Sequence, residues 1–163
     1  MESLRFLPNT GIDTILGMPF QMYLLPKATN KRWVEMKEKM KILVGIDGSD
    51  HSKRALGEAL DIAKKFSGFV KVITVYKQGM DEEADKILEE AEQHLKKEKI
   101  DYSLLSILGS NPSRALVNIA KHENFDLILV GSRGLGGAAS FLLGSVSRQV
   151  VSKADCDVLV VKG

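Results

Sequence analysis

A chain of 163 residues suits one domain with a real core, and 44% hydrophobic with 27% charged residues is ordinary for a globular protein. Residues 1–39 hold six Lys/Arg against four Asp/Glu, which leaves 17 of each in residues 40–163. A neutral globular part argues against a nucleic-acid surface, and the single cysteine, Cys156, excludes an internal disulfide framework.

The leading segment comes first. Ile12 to Leu25 is apolar-rich but broken by Asp13, Gly17, Pro19 and Gln21. A membrane span needs roughly 20 mostly apolar residues, so no span is expected. Only Arg5 precedes the stretch as a basic residue, which makes a poor secretory signal, and a cytoplasmic location is expected. Residues 1–39 read as an N-terminal extension, peripheral or poorly ordered over 1–30. Either translation starts at Met36 or Met40, or the segment is an arm with Trp33 as its anchor.

Residues 40–163 read as one domain. Lys41 to Asp47 is a short apolar run of the kind that forms a buried parallel strand. Gly48-Ser49-Asp50 supplies a turn and cap candidates, and His51 follows at the surface of a helix start. Ala55, Leu56, Ala59, Leu60, Ala63 and Phe66 recur at helical spacing, with Gly68 as the expected stop. Phe69 to Tyr76 is a second strand. Asp81 opens a helix with acids in its first turn and lysines in its last, as the helix dipole favours. Its apolar stripe is Ala84, Ile87, Leu88, Ala91 and Leu95. Tyr102 to Leu108 is a third strand, Pro112 stands near a helix start, and Ala115, Leu116, Ile119 and Ala120 mark that helix. Asp126 to Val130 is strand four, a helix covers Ser145 to Lys153, and Val158 to Val161 is strand five. Cys156, at the start of that last apolar run, is expected to be a small core side chain. Such alternation predicts an α/β fold: an open five-stranded parallel sheet with helices on both faces.

Ligands of such sheets bind beyond the carboxyl ends of the strands, where strand order reverses. Between strand four and its helix lie five glycines in the fifteen residues 131–145. Free backbone N–H groups and a helix dipole converge at such a place, which suits phosphate. Gly131 and Gly136 have P-loop spacing, but Gly137 stands where the lysine belongs. Gly134-Leu-Gly136-Gly-Ala-Ala139 fits the dinucleotide pattern, yet that motif belongs after the first strand of a βαβαβ half. His51, His94 and His122 are too scattered for a metal site.

The spacing Gly131-x2-Gly134-x9-Gly144-Ser145 resembles the signature of the ATP-binding branch of the universal stress protein family. The resemblance covers roughly residues 40–163, including the first strand ending in Asp47 and the run Gly131-Ser132-Arg133-Gly134. It implies the strand order 3-2-1-4-5, with the switch point between strands one and four. It also implies that Gly45, Asp47 and Val75 border adenine and that Gly131 lies near the ribose. Gly134, Gly144, Ser145, Val146 and Ser147 would wrap the phosphates, with Ser132 and Arg133 in the same cofactor-binding set. A helix terminus offers only about half a charge, so ATP would come with Mg²⁺ or Mn²⁺ bound through its phosphates. The family forms homodimers through strand five, here residues 158–161, and an unpaired apolar edge favours such pairing.

The sequence departs from the family pattern in three places. Lys77-Gln-Gly-Met80 is short, Gly109-Ser-Asn-Pro112 is one residue longer than the common turn, and Cys156-Asp157 replaces an X-Pro pair. Hydrolysis needs a water-positioning or basic residue near the γ-phosphate, and no nucleophile arrangement stands out. A nucleotide-dependent stress-response module, with an unidentified protein partner, is the expected function, with at most weak ATP hydrolysis. A slow Mg-dependent ATPase and an AMP-binding or nucleotide-free interaction protein of the same fold are the alternatives.

Overall fold

The computed structural model describes residues 39–135 and 143–162, together with two short strands, Thr14–Ile15 and Met18–Pro19. Those two strands pair antiparallel. The chain divides between Glu38 and Lys39 into two units. Apart from those two strands, the expectations for residues 1–38, Trp33 as an anchor among them, and for Gly136 and Gly137 lie outside the described residues.

The larger unit alternates strand and helix throughout. Its elements are β1 (Lys41–Gly45), α1 (Asp50–Phe66), β2 (Phe69–Tyr76), α2 (Asp81–Glu98), β3 (Asp101–Leu108), α3 (Pro112–His122), β4 (Leu127–Gly131), α4 (Ser145–Lys153) and β5 (Asp157–Val161). The five strands form one parallel sheet in the order β3-β2-β1-β4-β5. Strand order therefore reverses between β1 and β4, as the sequence predicts.

Register explains why β1 reads as apolar throughout. Ile42 pairs with Val70 on one side and Leu127 on the other, and Ile42, Leu43 and Val44 are fully buried. Alternate side chains enter opposite cores. Ile42 and Val44 join Ala55, Leu56, Ala59, Leu60, Leu88 and Leu95 beneath α1 and α2. Leu43 joins Leu116, Ala120, Phe125, Ile128 and Val150 beneath α3 and α4. Each large side chain buried in this way contributes about 1.5–3 kcal/mol. The alanine stripe of α1 lets that helix lie close to the sheet. Cys156 is half-buried against the α3–α4 core, and burial pushes its thiol pKa up.

Two boundaries differ from expectation. Helix α1 ends at Phe66, and Ser67, not Gly68, takes the left-handed conformation, with φ 51°. β1 stops at Gly45, although Ile46 N still donates to Ile73 O at 2.9 Å. Asp157, where the family pattern has proline, pairs in register with Leu127. At the amino ends of the strands, Lys71 bonds Glu123 at 2.5 Å, and Lys41 and Lys71 both stand over the Phe125 ring. Among the described residues no helix is long and apolar enough to cross a membrane.

Candidate functional site

The carboxyl ends of β1 and β4 diverge toward α1 and α4, and a cavity of about 460 Å³ opens between them. This is within the range of small-molecule sites, and it sits at the reversal of strand order. Its floor is apolar, from Ile46, Ile73, Leu116 and Val130, while Asp47 and Arg133 bring the charge among the described residues.

The first wall is the turn from β1 into α1. Asp47 Oδ1 accepts from Ser49 N at 3.1 Å and from Ser49 Oγ at 2.5 Å. Ser49 Oγ in turn accepts from Ser52 N at 3.3 Å, which makes it the N-cap of α1. Ser52 Oγ donates to Ser49 O at 2.8 Å and accepts from Asp47 N at 3.3 Å. Residues 47–52 are thus held by their own side chains as well as by the helix.

The second wall is the turn from β4 toward α4. Ser132 N donates to Val161 O at 2.7 Å, and Gly144 N donates to Ser132 O at 2.8 Å. These bonds bring Gly144 back beside Ser132 across the glycine-rich segment. Ser147 is almost fully buried, and its hydroxyl lies 3.3 Å from Ser132 O and 3.1 Å from Gly144 O. Its proton therefore serves the loop base. Among the described residues no side chain caps α4, whose N-cap is Gly144, so its first-turn N–H groups and positive dipole end face the cavity region.

Two glycines set the gap between the walls. A Cβ on Gly131 would lie 2.7 Å from His51 C and 2.9 Å from Ser52 N, both backbone atoms of α1. Only glycine lets β4 pass so near that helix. A Cβ on Gly134 would instead collide with Asp47 Oδ2, so this glycine lets the carboxylate lie against the loop.

Of the residues expected at the site, Gly45, Asp47, Val75, Gly131, Arg133, Gly134, Gly144, Ser145, Val146 and Ser147 all line the cavity. Ser132 does not. It is buried and works through its backbone as the tie between β5 and Gly144. Gly45 has a packing role too, since a Cβ there would meet Leu116 Cδ1 at 2.7 Å. His51 touches Gly131 from behind and is not in the lining. Reading the sequence missed Ser52, Pro112 and Leu143 and assigned Ile73 and Leu116 to the core alone. Ser52 had a signal, its place three residues after the cap Ser49. Pro112 and Leu116 had none, because α3 reaches the cavity only by tertiary packing.

Comparison with known proteins agrees with this architecture. Residues 39–162 match the universal stress protein family. A universal stress protein of Thermus aquaticus is 35% identical over 133 residues, 74% of this chain and 97% of that protein. A solved universal stress protein in complex with cAMP is 35% identical with a TM-score of 0.65, over 76% of this chain and 97% of that one. Another, from Archaeoglobus fulgidus in complex with dAMP, is 27% identical with a TM-score of 0.61, over 76% of this chain and 98% of that one.

Proposed function

The chain belongs to the universal stress protein family, and from that premise we propose that its cavity binds an adenine nucleotide, ATP with a divalent cation, as a regulatory switch. The observation that carries this reading is a cavity at the reversal of strand order lined by both the Asp47 carboxylate and the start of α4, which no side chain caps among the described residues. Backbone N–H groups at α4 suit phosphate. Asp47 repels phosphate and accepts hydrogen bonds, so it belongs with the base and sugar. Gly45 and Val75 flank it, while Gly134 and the start of α4 take the phosphates. Solved relatives in complex with cAMP and dAMP support an adenine ligand.

The charge of the site decides what a triphosphate needs. Asp47 and Arg133 offset one another in the described lining, and a helix terminus adds only about half a positive charge. Among the described residues no group of three or more His, Cys, Asp or Glu is placed to hold a metal ion. A cation would therefore come in on the phosphates, with Ser145 as an exposed hydroxyl in the described lining. Its role would be to neutralise phosphate charge. The same inventory favours a second reading, a mononucleotide site that works without a metal.

Hydrolysis is expected to be slow. Asp47 is the only carboxylate in the described lining, and one of its oxygens is engaged by Ser49. Self-association through β5 belongs to the same proposal. Among the described residues β5 pairs only with β4, and Leu159 on it and Val151 on α4 are large exposed apolar side chains.

Calorimetric titration with ATP, with and without Mg²⁺, and with AMP tests the reading. Tight binding of ATP only with Mg²⁺ supports the switch. Equal binding of AMP with and without the metal, and tighter than ATP, moves the function to the mononucleotide reading. Rapid phosphate release that Ser145→Ala abolishes makes the protein an enzyme and ends the switch reading.

A further inference from the structure

We propose that Ser49 is a positioning residue for nucleotide binding: its hydroxyl proton fixes the Asp47 carboxylate so that Oδ2 is the oxygen presented beside Gly134. The inference rests on the nucleotide reading above and adds a residue that lies outside the cavity lining.

The geometry divides the two carboxylate oxygens. Oδ1 takes both donors of Ser49, the backbone N–H and the hydroxyl. Oδ2 is the atom that a Cβ on Gly134 would strike. A carboxylate rotates as one unit, so holding Oδ1 determines where Oδ2 points. Without the hydroxyl only the longer backbone bond at 3.1 Å holds Oδ1, so a half-buried Asp47 regains part of its rotamer freedom, and binding must then restrict it again at an entropic cost.

Ser49 Oγ accepts from Ser52 N as the cap of α1 and donates to Asp47 Oδ1, with Arg133 O a second, more distant acceptor at 3.5 Å. A cap requires only an acceptor, and glycine at a cap position costs little stability. Positioning requires the proton. Ser52 holds Ser49 from the other side through the Ser49 carbonyl, so the arrangement runs from the start of α1 to the cavity.

The test is a double-mutant cycle read as affinity for AMP and for Mg·ATP, by NMR titration to millimolar ligand. Ser49→Gly is expected to weaken binding about tenfold, the size of one hydrogen bond to a charged group. Its thermal midpoint should stay close to that of the parent. Ser49→Thr, which keeps cap and proton, is expected to bind like the parent. In an Asp47→Ala background Ser49→Gly should cause no further loss, because there is no carboxylate left to position.

A loss of the same factor in both backgrounds overturns the proposal, as does a Thr variant no better than Gly, or a Gly variant that binds like the parent. A parent chain that binds neither ligand overturns the nucleotide reading and this inference with it. A parent that binds, with a Ser49 effect independent of Asp47, overturns this inference alone.

Discussion

Gly134→Ala separates the site from the fold. The residue is exposed and lies outside the left-handed region, so its backbone accepts alanine. The added methyl meets one obstacle, Asp47 Oδ2, with Asp47 Cγ next at 3.6 Å. The far end of a side chain is what must give way and no backbone has to move, so the stability lost is that of the bonds a half-buried carboxylate gives up, about 1–2 kcal/mol. Turning the carboxylate aside breaks the two donations from Ser49 and removes the acceptor offered to the ligand. A hydrogen bond to a charged group is worth about 1.5–3 kcal/mol, so affinity for AMP or Mg·ATP should drop roughly 10- to 150-fold. Gly79→Ala is the control. Its φ of +85° makes alanine strained, yet nothing lies within 4 Å and it does not line the cavity. It should cost about 1–2 kcal/mol of stability and leave binding unchanged. Titration calorimetry and scanning calorimetry on both variants check the pair. If Gly134→Ala binds like the parent, or loses affinity only in proportion to a fall in thermal midpoint, the reasoning about the Asp47 carboxylate is wrong.

Gly131→Ala should behave in the opposite way. Its Cβ meets the α1 backbone, which cannot swing aside, so denaturant melts should show a loss of about 1–3 kcal/mol even without ligand. Cys156 should react slowly with iodoacetamide at pH 8. Burial, followed by the carboxylates of Asp157, Asp126 and Asp155, raises its pKa above the usual thiol value. A raised pKa means less thiolate at a given pH, so alkylation should be slower than for a free cysteine peptide and should climb as pH rises; faster reaction contradicts the burial. Leu159→Lys charges the exposed edge of β5 and should lower the sedimentation coefficient from dimer to monomer. A parent chain that sediments as a monomer refutes that interface.

Much of the site was legible because its parts are local. The β-α alternation follows from apolar periodicity, and the buried run Ile42-Leu-Val44 announces a central strand whichever neighbours it takes. Asp47 and Gly131 could both be assigned to strand ends, since an acidic residue or a glycine after an apolar run marks where a strand leaves the core. Cap chemistry was legible at Ser49 for the same reason: a side chain that bonds three residues away needs no tertiary partner.

What the sequence determined alone was the order of elements, the buried strands, the glycine spacing and the candidates at the ends of β1 and β4. The tertiary structure decided the rest. That Gly134 makes room for a carboxylate oxygen while Gly131 makes room for a helix backbone, and that Leu116 forms part of the floor, are matters of distance between segments far apart in the chain. The glycines at 131 and 134 look alike in sequence because the absence of a side chain carries no sign of its reason. Only the atom standing where the Cβ would be tells them apart, α1 backbone for one and a carboxylate oxygen for the other.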